Sequence, residues 1–173
     1  MRAACAALLL LVSCVLQAQP LEHEVKAAFL FKFPSFVEWP REAPGVGSIV
    51  IGVAGNDAVA AELEQIVAGR SIQGRPVVVR RLREGERLDG LHVLFLGQGQ
   101  GARLAEIVRQ APAQPLLIVC EWQGALQQGA VVNFLRDEGR VRFEVSLDSA
   151  ERRSLRVSSR MLAVAHHVVP GRL

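Results

Sequence analysis

Tyrosine is absent from this chain of 173 residues, and aromatic residues together make up only 5% of it. Proteins that bind single-stranded nucleic acid stack bases on such side chains, so their scarcity argues against that class. The formal net charge is only +3, and the cationic residues are scattered along the chain. No concentrated basic surface is predicted, and we expect no nucleic-acid partner.

Cysteine is equally scarce. Two of the three cysteines, Cys5 and Cys14, lie within the first 18 residues, which leaves Cys120 alone in the rest of the chain. A single thiol cannot form an intramolecular disulfide, so Cys120 is predicted to be unpaired. It is either a small buried apolar residue at the end of a strand or a thiol open to redox or intermolecular chemistry.

Long apolar runs are missing except at the start, where residues 3–16 are almost unbroken apolar chain after Arg2. This run suits a signal peptide and is too short to span a bilayer comfortably. We expect a leader over 1–18, cleaved after Ala18, and an exported domain over 19–173. Residues 11–14 also resemble a lipobox, so a lipoprotein attached through Cys14 is the alternative.

The remaining sequence alternates between strand and helix patterns. Apolar runs of strand length occur at 48–53, 75–80, 92–96 and 115–120, with helical patterns at 57–68 and 102–110. Two further strands, 130–135 and 141–146, flank a tight turn and form an antiparallel hairpin. We predict one α/β domain with a mostly parallel central sheet of about six strands, that C-terminal hairpin, and helices on both faces.

Helices are also expected at the two ends of the domain. Residues 21–39 carry apolar residues at helical spacing, and Pro34 should end or kink this helix near Phe33. Most of the phenylalanines lie in this segment, so it should supply much of the bulk of the core. A final helix is predicted over about 148–168, with a break near 155–157.

Catalytic and metal-binding patterns are not found. Ser158 and Ser159 lack the elbow motif of a serine nucleophile, and a helix cap is the simpler interpretation of that segment. His166 and His167 are adjacent, so on a helix they point in different directions and suit a shared metal poorly. We therefore predict a protein that is not an enzyme and that has no metal and no cofactor.

One glycine-rich loop resembles a nucleotide-binding motif. Residues 97–102 read GQGQGA, follow a predicted strand and open a predicted helix, and Glu121 follows at the end of the next strand. This arrangement is similar to a dinucleotide fingerprint. The alternative is a βα loop that uses glycine for its turns. An exported protein that binds a small ligand, such as a nucleotide, through this loop is thus a second functional hypothesis.

The best candidates for a binding contact lie near the C-terminus. Glu144 is on the polar face of the strand 141–146, opposite Phe143 and Val145. It should either pair with a neighbouring arginine or line a site for a ligand or a partner. The segment after it contributes the other candidates for ligand or partner binding, which are Ser158, Ser159, Arg160 and Met161.

Two segments resemble a known family. EVKAAFLFKFPSFVEWP (24–40) is similar to the opening signature of the YfiR-like periplasmic proteins, and VRFEVSLDSAERRSLRVSSRMLAVA (141–165) is similar to their ending. SIVIGVAGND (48–57) continues the match. The chain departs from the family's namesake in lacking its two disulfides, and Pro34 stands where a helix former is usual.

This resemblance implies a function that residue spacing does not reveal. The namesake represses an inner-membrane diguanylate cyclase by binding its periplasmic sensor domain, which lowers cyclic di-GMP. An outer-membrane lipoprotein of the peptidoglycan-binding kind can sequester the repressor, and the family forms homodimers. The resemblance therefore implies a periplasmic location and these three kinds of protein partner for the present chain.

Overall fold

The computed structural model describes residues 21–40, 47–110 and 113–171. The predicted leader over 1–18, including Cys14, lies outside these residues. In chain order the elements are α1 (Glu22–Lys32), a 3-10 turn (Phe33–Phe36), β1 (Val37–Glu38), β2 (Ile49–Ala54), α2 (Asp57–Val67), β3 (Ser71–Ile72), β4 (Arg75–Arg81), β5 (Val93–Leu96), α3 (Gly101–Gln110), β6 (Leu117–Cys120), β7 (Val132–Asp137), β8 (Arg140–Ser146), α4 (Leu147–Arg152), β9 (Arg156–Val157), α5 (Ser159–Val164) and β10 (His167–Val169).

Eight of the strands form one sheet in the order β10–β8–β7–β6–β5–β2–β4–β3. The five strands from β7 to β4 in this order are parallel. Strands β7 and β8 form the predicted antiparallel hairpin. The predicted fold class is confirmed, but the sheet has two strands more than expected. The additional strands, β3 and β10, are only two and three residues long, too short to carry a periodic sequence pattern.

Helices cover both faces of the sheet, as predicted. Successive residues of a strand point to opposite faces, and β5 shows the consequence. Val93 and Phe95 pack in one core cluster with residues of α1 and α2. Leu94 and Leu96 pack in a second cluster with Leu104 and the rest of the buried face of α3. Because both faces are covered, the central strands are apolar throughout.

Helix α1 ends at Lys32, and a 3-10 turn that carries Pro34 near its start follows it. The prediction that Pro34 ends this helix near Phe33 is confirmed. Phe29 and Phe33 then pack edge-to-face against Phe143 of β8, with ring centroids 5.3 and 5.2 Å apart. These contacts fix α1 over the hairpin and thereby set the position of its first turn, which reaches the candidate site.

The prediction of a final helix over 148–168 is wrong in its extent, but the expected break near 155–157 is confirmed. The segment forms two short helices, α4 and α5, separated by β9, and it ends in β10. Ser154 takes up a left-handed backbone conformation (φ 55°) just after α4, and β9 then pairs with β1. Strand pairing with distant segments outweighs the local helical pattern here. Among the described residues, the helices are too short or too polar to cross a membrane.

Candidate functional site

The order of the parallel strands reverses at β2. The chain forms β2, β4 and β5 in turn, yet β4 lies on one side of β2 and β5 on the other. In open α/β sheets, ligands bind in the crevice outside the carboxyl ends of the strands near such a reversal. The loops after β2, β5 and β6 all reach this edge of the sheet, and each contributes a polar side chain to it.

Glu121, directly after β6, is the centre of a buried polar network at this edge. Its side chain is 3% exposed, and its Oε2 lies 2.5 Å from Nζ of Lys26 on α1, which is 9% exposed. Its Oε1 accepts hydrogen bonds of 3.1 Å from the Asn56 side-chain amide and from the Gln98 backbone N–H. A buried carboxylate with a cation and two donors around it is fully compensated, so this network fixes the loops after three strands.

A second carboxylate extends the network towards solvent. Glu22, one turn before Lys26 on α1, forms an ion pair with Lys26 and a second one, of 3.3 Å, with Arg136 of β7. The hydrogen bond from Lys26 lowers the pKa of the Glu22 carboxyl, with smaller contributions from the charges of Lys26 and Arg136. Charges therefore alternate from Glu121 through Lys26 and Glu22 to Arg136.

Glu144 lies beside this network and pairs across the hairpin with Asn133 of β7. The Asn133 amide donates a hydrogen bond of 2.9 Å to Glu144 Oε1. Among the described residues, Glu144 has no arginine partner within ion-pair distance, so an amide takes the place of the expected salt bridge. Both side chains face a cavity of about 540 Å³ at the carboxyl edge of the sheet.

We call this cavity the edge crevice. Its lining residues come from the start of α1, the loops after β5 and β6, and the hairpin; they are Glu22, Lys26, Gln98, Glu121, Trp122, Gln123, Gly124, Gln127, Asn133, Phe134, Leu135, Arg136 and Glu144. The expected pairing of Glu144 with an arginine is therefore wrong, since its partner is Asn133. Glu144 does line a cavity, and its role in binding a ligand or a partner stays a prediction.

The glycine loop 97–102 packs against the neighbouring loop. A Cβ atom at Gly97 would lie 2.3 Å from the carbonyl oxygen of Gly55, so the two backbones approach too closely for any side chain there. The next amide, of Gln98, is directed at the Glu121 carboxylate. Gly97 and Gln98 therefore serve contacts within the protein, and both carboxylate oxygens of Glu121 have protein partners. Binding of a nucleotide by this loop stays a prediction.

The predicted segment 158–161 lies elsewhere, at the start of α5. The Ser158 hydroxyl caps α5 by accepting from the Met161 N–H at 3.4 Å, and the Ser158 N–H donates to the Phe36 carbonyl at 2.9 Å. Met161 is a core residue, only 2% exposed, because it packs in the core cluster that contains residues of α1, α2 and the sheet. It offers no surface to a partner, whereas Ser159 and Arg160 are exposed. A binding role for Ser158, Ser159 and Arg160 stays a prediction.

Cys120 is fully buried and is the free cysteine of the described chain. Burial, with a smaller contribution from the adjacent Glu121 carboxylate, raises the pKa of its thiol far above the ordinary value. Reactive cysteines are thiolates near neutral pH, so this environment favours an inert apolar side chain over a redox-sensitive one. In the described part of the chain, we find no group of three histidine, cysteine or acidic side chains able to hold a metal.

Several residues of the site escaped the sequence analysis, among them Glu22, Lys26, Asn133 and Arg136. Lys26 reads as one more charge on an exposed helical face, and nothing local links it to Glu121. Asn133 was within reach of prediction, because the hairpin turns at Glu138 and Gly139, and counting back along both strands places Asn133 opposite Glu144.

The fold and the edge crevice define a parallel α/β domain with a polar crevice at the carboxyl ends of its strands. The family model described as DUF4154, YfiR/HmsC-like, matches residues 23–166, and the chain belongs to that family. The match starts within α1 and ends just before β10, so it includes every residue that lines the crevice except Glu22. Among curated proteins, no match to the chain is found. Membership supports a regulatory, non-catalytic role in periplasmic control of a diguanylate cyclase.

Proposed function

We propose that this protein represses an inner-membrane diguanylate cyclase by binding the periplasmic sensor domain of that enzyme, which lowers cellular cyclic di-GMP. The observation that carries the proposal is the family match over residues 23–166. An export signal over 1–18, with lipid attachment at Cys14 as the alternative, belongs to the same proposal. So do a homodimeric state and sequestration by an outer-membrane peptidoglycan-binding lipoprotein.

The proposed mechanism is a shift of conformational populations. A binding protein without catalytic groups can change the activity of an enzyme only through its different affinities for the active and inactive states of that enzyme. To reverse an equilibrium that strongly favours the active cyclase, the repressor must bind the inactive state roughly 10⁴-fold more tightly than the active one. Such selectivity requires a rigid surface, and the start of α5 is held in place by the Ser158 cap and by the hydrogen bond from Ser158 to Phe36.

The exposed start of α5 is the surface that we assign to the sensor domain. Ser159 and Arg160 project there, while Ser158 ties α5 to the end of the 3-10 turn by a backbone hydrogen bond. A surface held by such contacts loses little conformational freedom on binding. Arg160→Glu should therefore weaken repression, whereas Arg83→Glu, on an exposed loop outside α5, should leave repression unchanged.

The decisive experiment measures cyclic di-GMP in cells that lack the gene and in cells that re-express it. We expect the level to rise on deletion and to return on complementation with the full chain. Complementation with a chain lacking residues 2–18 should fail, because that protein would not leave the cytoplasm. The proposal would be contradicted if deletion left the cyclic di-GMP level unchanged in a strain whose parent produces the wild-type protein.

A further inference from the structure

One buried acceptor in the edge crevice has no donor. Asn133 is only 2% exposed, and its side-chain NH₂ group donates to Glu144. Its Oδ1 atom is buried and has no hydrogen-bond partner among the described residues. Turning the amide over would place Oδ1 against the Glu144 carboxylate, so the orientation is fixed by that neighbour. A buried amide oxygen without a donor destabilises a protein, and such groups are rare.

The other buried polar side chains of the crevice, Lys26 and Glu121, are already engaged, whereas the amides of Gln123 and Gln127 in its lining are exposed. Glu121 is bonded through both of its oxygens, and Glu22 lies between Lys26 and Arg136. Away from these exposed amides, the hydrogen-bonding groups without a partner are therefore acceptors, namely Asn133 Oδ1 and the second carboxylate oxygen of Glu144. Three carboxylates and two cations line the crevice, which leaves a formal charge of −1.

We propose that the edge crevice binds a small organic cation, a primary ammonium or a guanidinium group on a short apolar chain. Its N–H groups would donate to Asn133 Oδ1 and to the Glu144 carboxylate, since charge-assisted hydrogen bonds of this kind are the strong ones. A metal ion suits the site less well, because Asn133 and Glu144 offer only two free ligand groups, fewer than the six or more that a hard cation takes.

The apolar lining of the crevice fits the rest of such a ligand. Trp122, Phe134 and Leu135 line it beside the polar pair. An indole face also attracts a cation that lies within about 6 Å of the ring. A volume of about 540 Å³ lies within the usual range for small-molecule sites, so a chain of several carbon atoms fits.

The test titrates the purified protein with n-butylammonium, n-butylguanidinium and the neutral n-butanol, by calorimetry and by NMR. At least one of the two cations should bind saturably and about tenfold or more tightly than the alcohol, which corresponds to one charge-assisted contact. The two tryptophans report the position of the ligand. The indole N–H signal of Trp122 should shift, and that of Trp39, which lies outside the crevice, should not.

Glu144→Gln retains the shape of the side chain and removes its charge, so it should weaken binding of the cation about tenfold. Glu38→Gln removes an exposed carboxylate outside the crevice and is the matched control, with binding expected to be unchanged. Calcium chloride in place of the organic cation tests the metal alternative and should leave the Trp122 signal where it is.

Capped tripeptides with a central lysine or arginine show whether the cation is a free molecule or a side chain of a partner. Binding of the free amines alone would indicate that the ligand is a free molecule. Binding of both the amines and the peptides would indicate that a side chain of a partner also fits. Either result supports the proposal. Equal affinities for butanol and both cations would overturn it, as would calcium binding at the same position. If Glu144→Gln does not fold, the affinities of the wild-type protein for the two cations and for n-butanol still test the proposal.

Discussion

The Nζ atom of Lys26 lies 2.5 Å from Oε2 of Glu121, although 95 positions separate the two residues in the chain. The contact joins the first helix to the loop after β6, in surroundings that exclude most solvent. Each residue has further partners, since Lys26 also contacts Glu22, and Glu121 also receives two hydrogen bonds. The charged pair therefore holds together the edge of the sheet at which the crevice lies.

Removing one member of this pair should destabilise the folded protein strongly. Lys26→Met leaves the Glu121 carboxylate buried without its cation, and we expect a loss of about 3–5 kcal/mol in the free energy of unfolding. Urea denaturation of the variant and the wild type measures it. The double variant Lys26→Met with Glu121→Gln should recover part of the loss, because no uncompensated charge then remains.

The pair between Arg81 and Glu64 is the matched control. Its side chains are 46% and 43% exposed, so solvent screens their interaction. Arg81→Met should reduce the free energy of unfolding far less than Lys26→Met does. Equal effects of the two substitutions would show that the pair of Lys26 and Glu121 is not buried in solution.

Gly97→Ala should destabilise the protein, because the added methyl group would lie 2.3 Å from the Gly55 carbonyl oxygen, which belongs to the backbone and cannot rotate away. Overpacking of this kind costs about 1–3 kcal/mol. Gly101→Ala, at the start of α3, is the control, since the nearest neighbour of its methyl group would lie 3.8 Å away. Thermal denaturation should show a lower Tm for the first variant only.

His92 should make stability depend on pH. The residue is 1% exposed, its Nε2 lies 2.9 Å from the Arg75 guanidinium, and its Nδ1 accepts from the Val50 N–H. Burial, and to a smaller degree the charge of Arg75, lowers the pKa of His92 below its ordinary value of 6.5. The unfolded chain therefore takes up a proton at a higher pH than the folded one, and the free energy of unfolding should fall as pH drops through about 6.5.

Urea denaturation at pH 7.5 and pH 5 tests this expectation. Other groups also titrate over that range, so the useful quantity is the difference between the wild type and His92→Gln. The wild type should lose more stability on acidification than this variant. His23→Gln, at a histidine on α1 away from Arg75, should keep the wild-type response. A steep loss that persists in His92→Gln would assign the effect to other groups.

Phe33 and Trp39 should differ in their contribution to the core. Phe33 is 2% exposed, whereas Trp39 is half-buried and packs against the edge of the same cluster. We expect Phe33→Ala to cost about 3–5 kcal/mol and Trp39→Ala less. Trp39→Phe should be tolerated best, because it also removes a buried indole N–H that has no partner among the described residues. Chemical denaturation of the three variants checks this order.

Local sequence patterns predicted the regular part of the fold well. The apolar runs gave the six longer strands, and Pro34 placed the end of α1 within a residue. The Asn56 side chain caps α2 by accepting from the Val59 N–H, the usual role of an asparagine at the start of a helix. These features are predictable because their causes, side-chain periodicity and backbone restriction, act over a few neighbouring residues.

The parts that were missed depend on contacts between distant segments. Strands β9 and β10 exist because β1 and β8 present backbone groups to them, and a two- or three-residue strand has no pattern of its own. The partner of Lys26 is equally invisible, since only the folded chain brings α1 to the end of β6. Glu144 was recognised because it was polar on a strand expected to be covered, a conflict that local reasoning can detect.

The pairing of β1 with β9, and of Ser158 with Phe36, joins the beginning of the described chain to its end. Helix α1 likewise buries its phenylalanines against β8, more than a hundred positions later in the sequence. A growing or translocating chain thus presents α1 first and cannot cover its apolar side until the hairpin has emerged. The packing of α1 must therefore wait until residue 143 is available, and we expect the closure of this very long loop to slow folding.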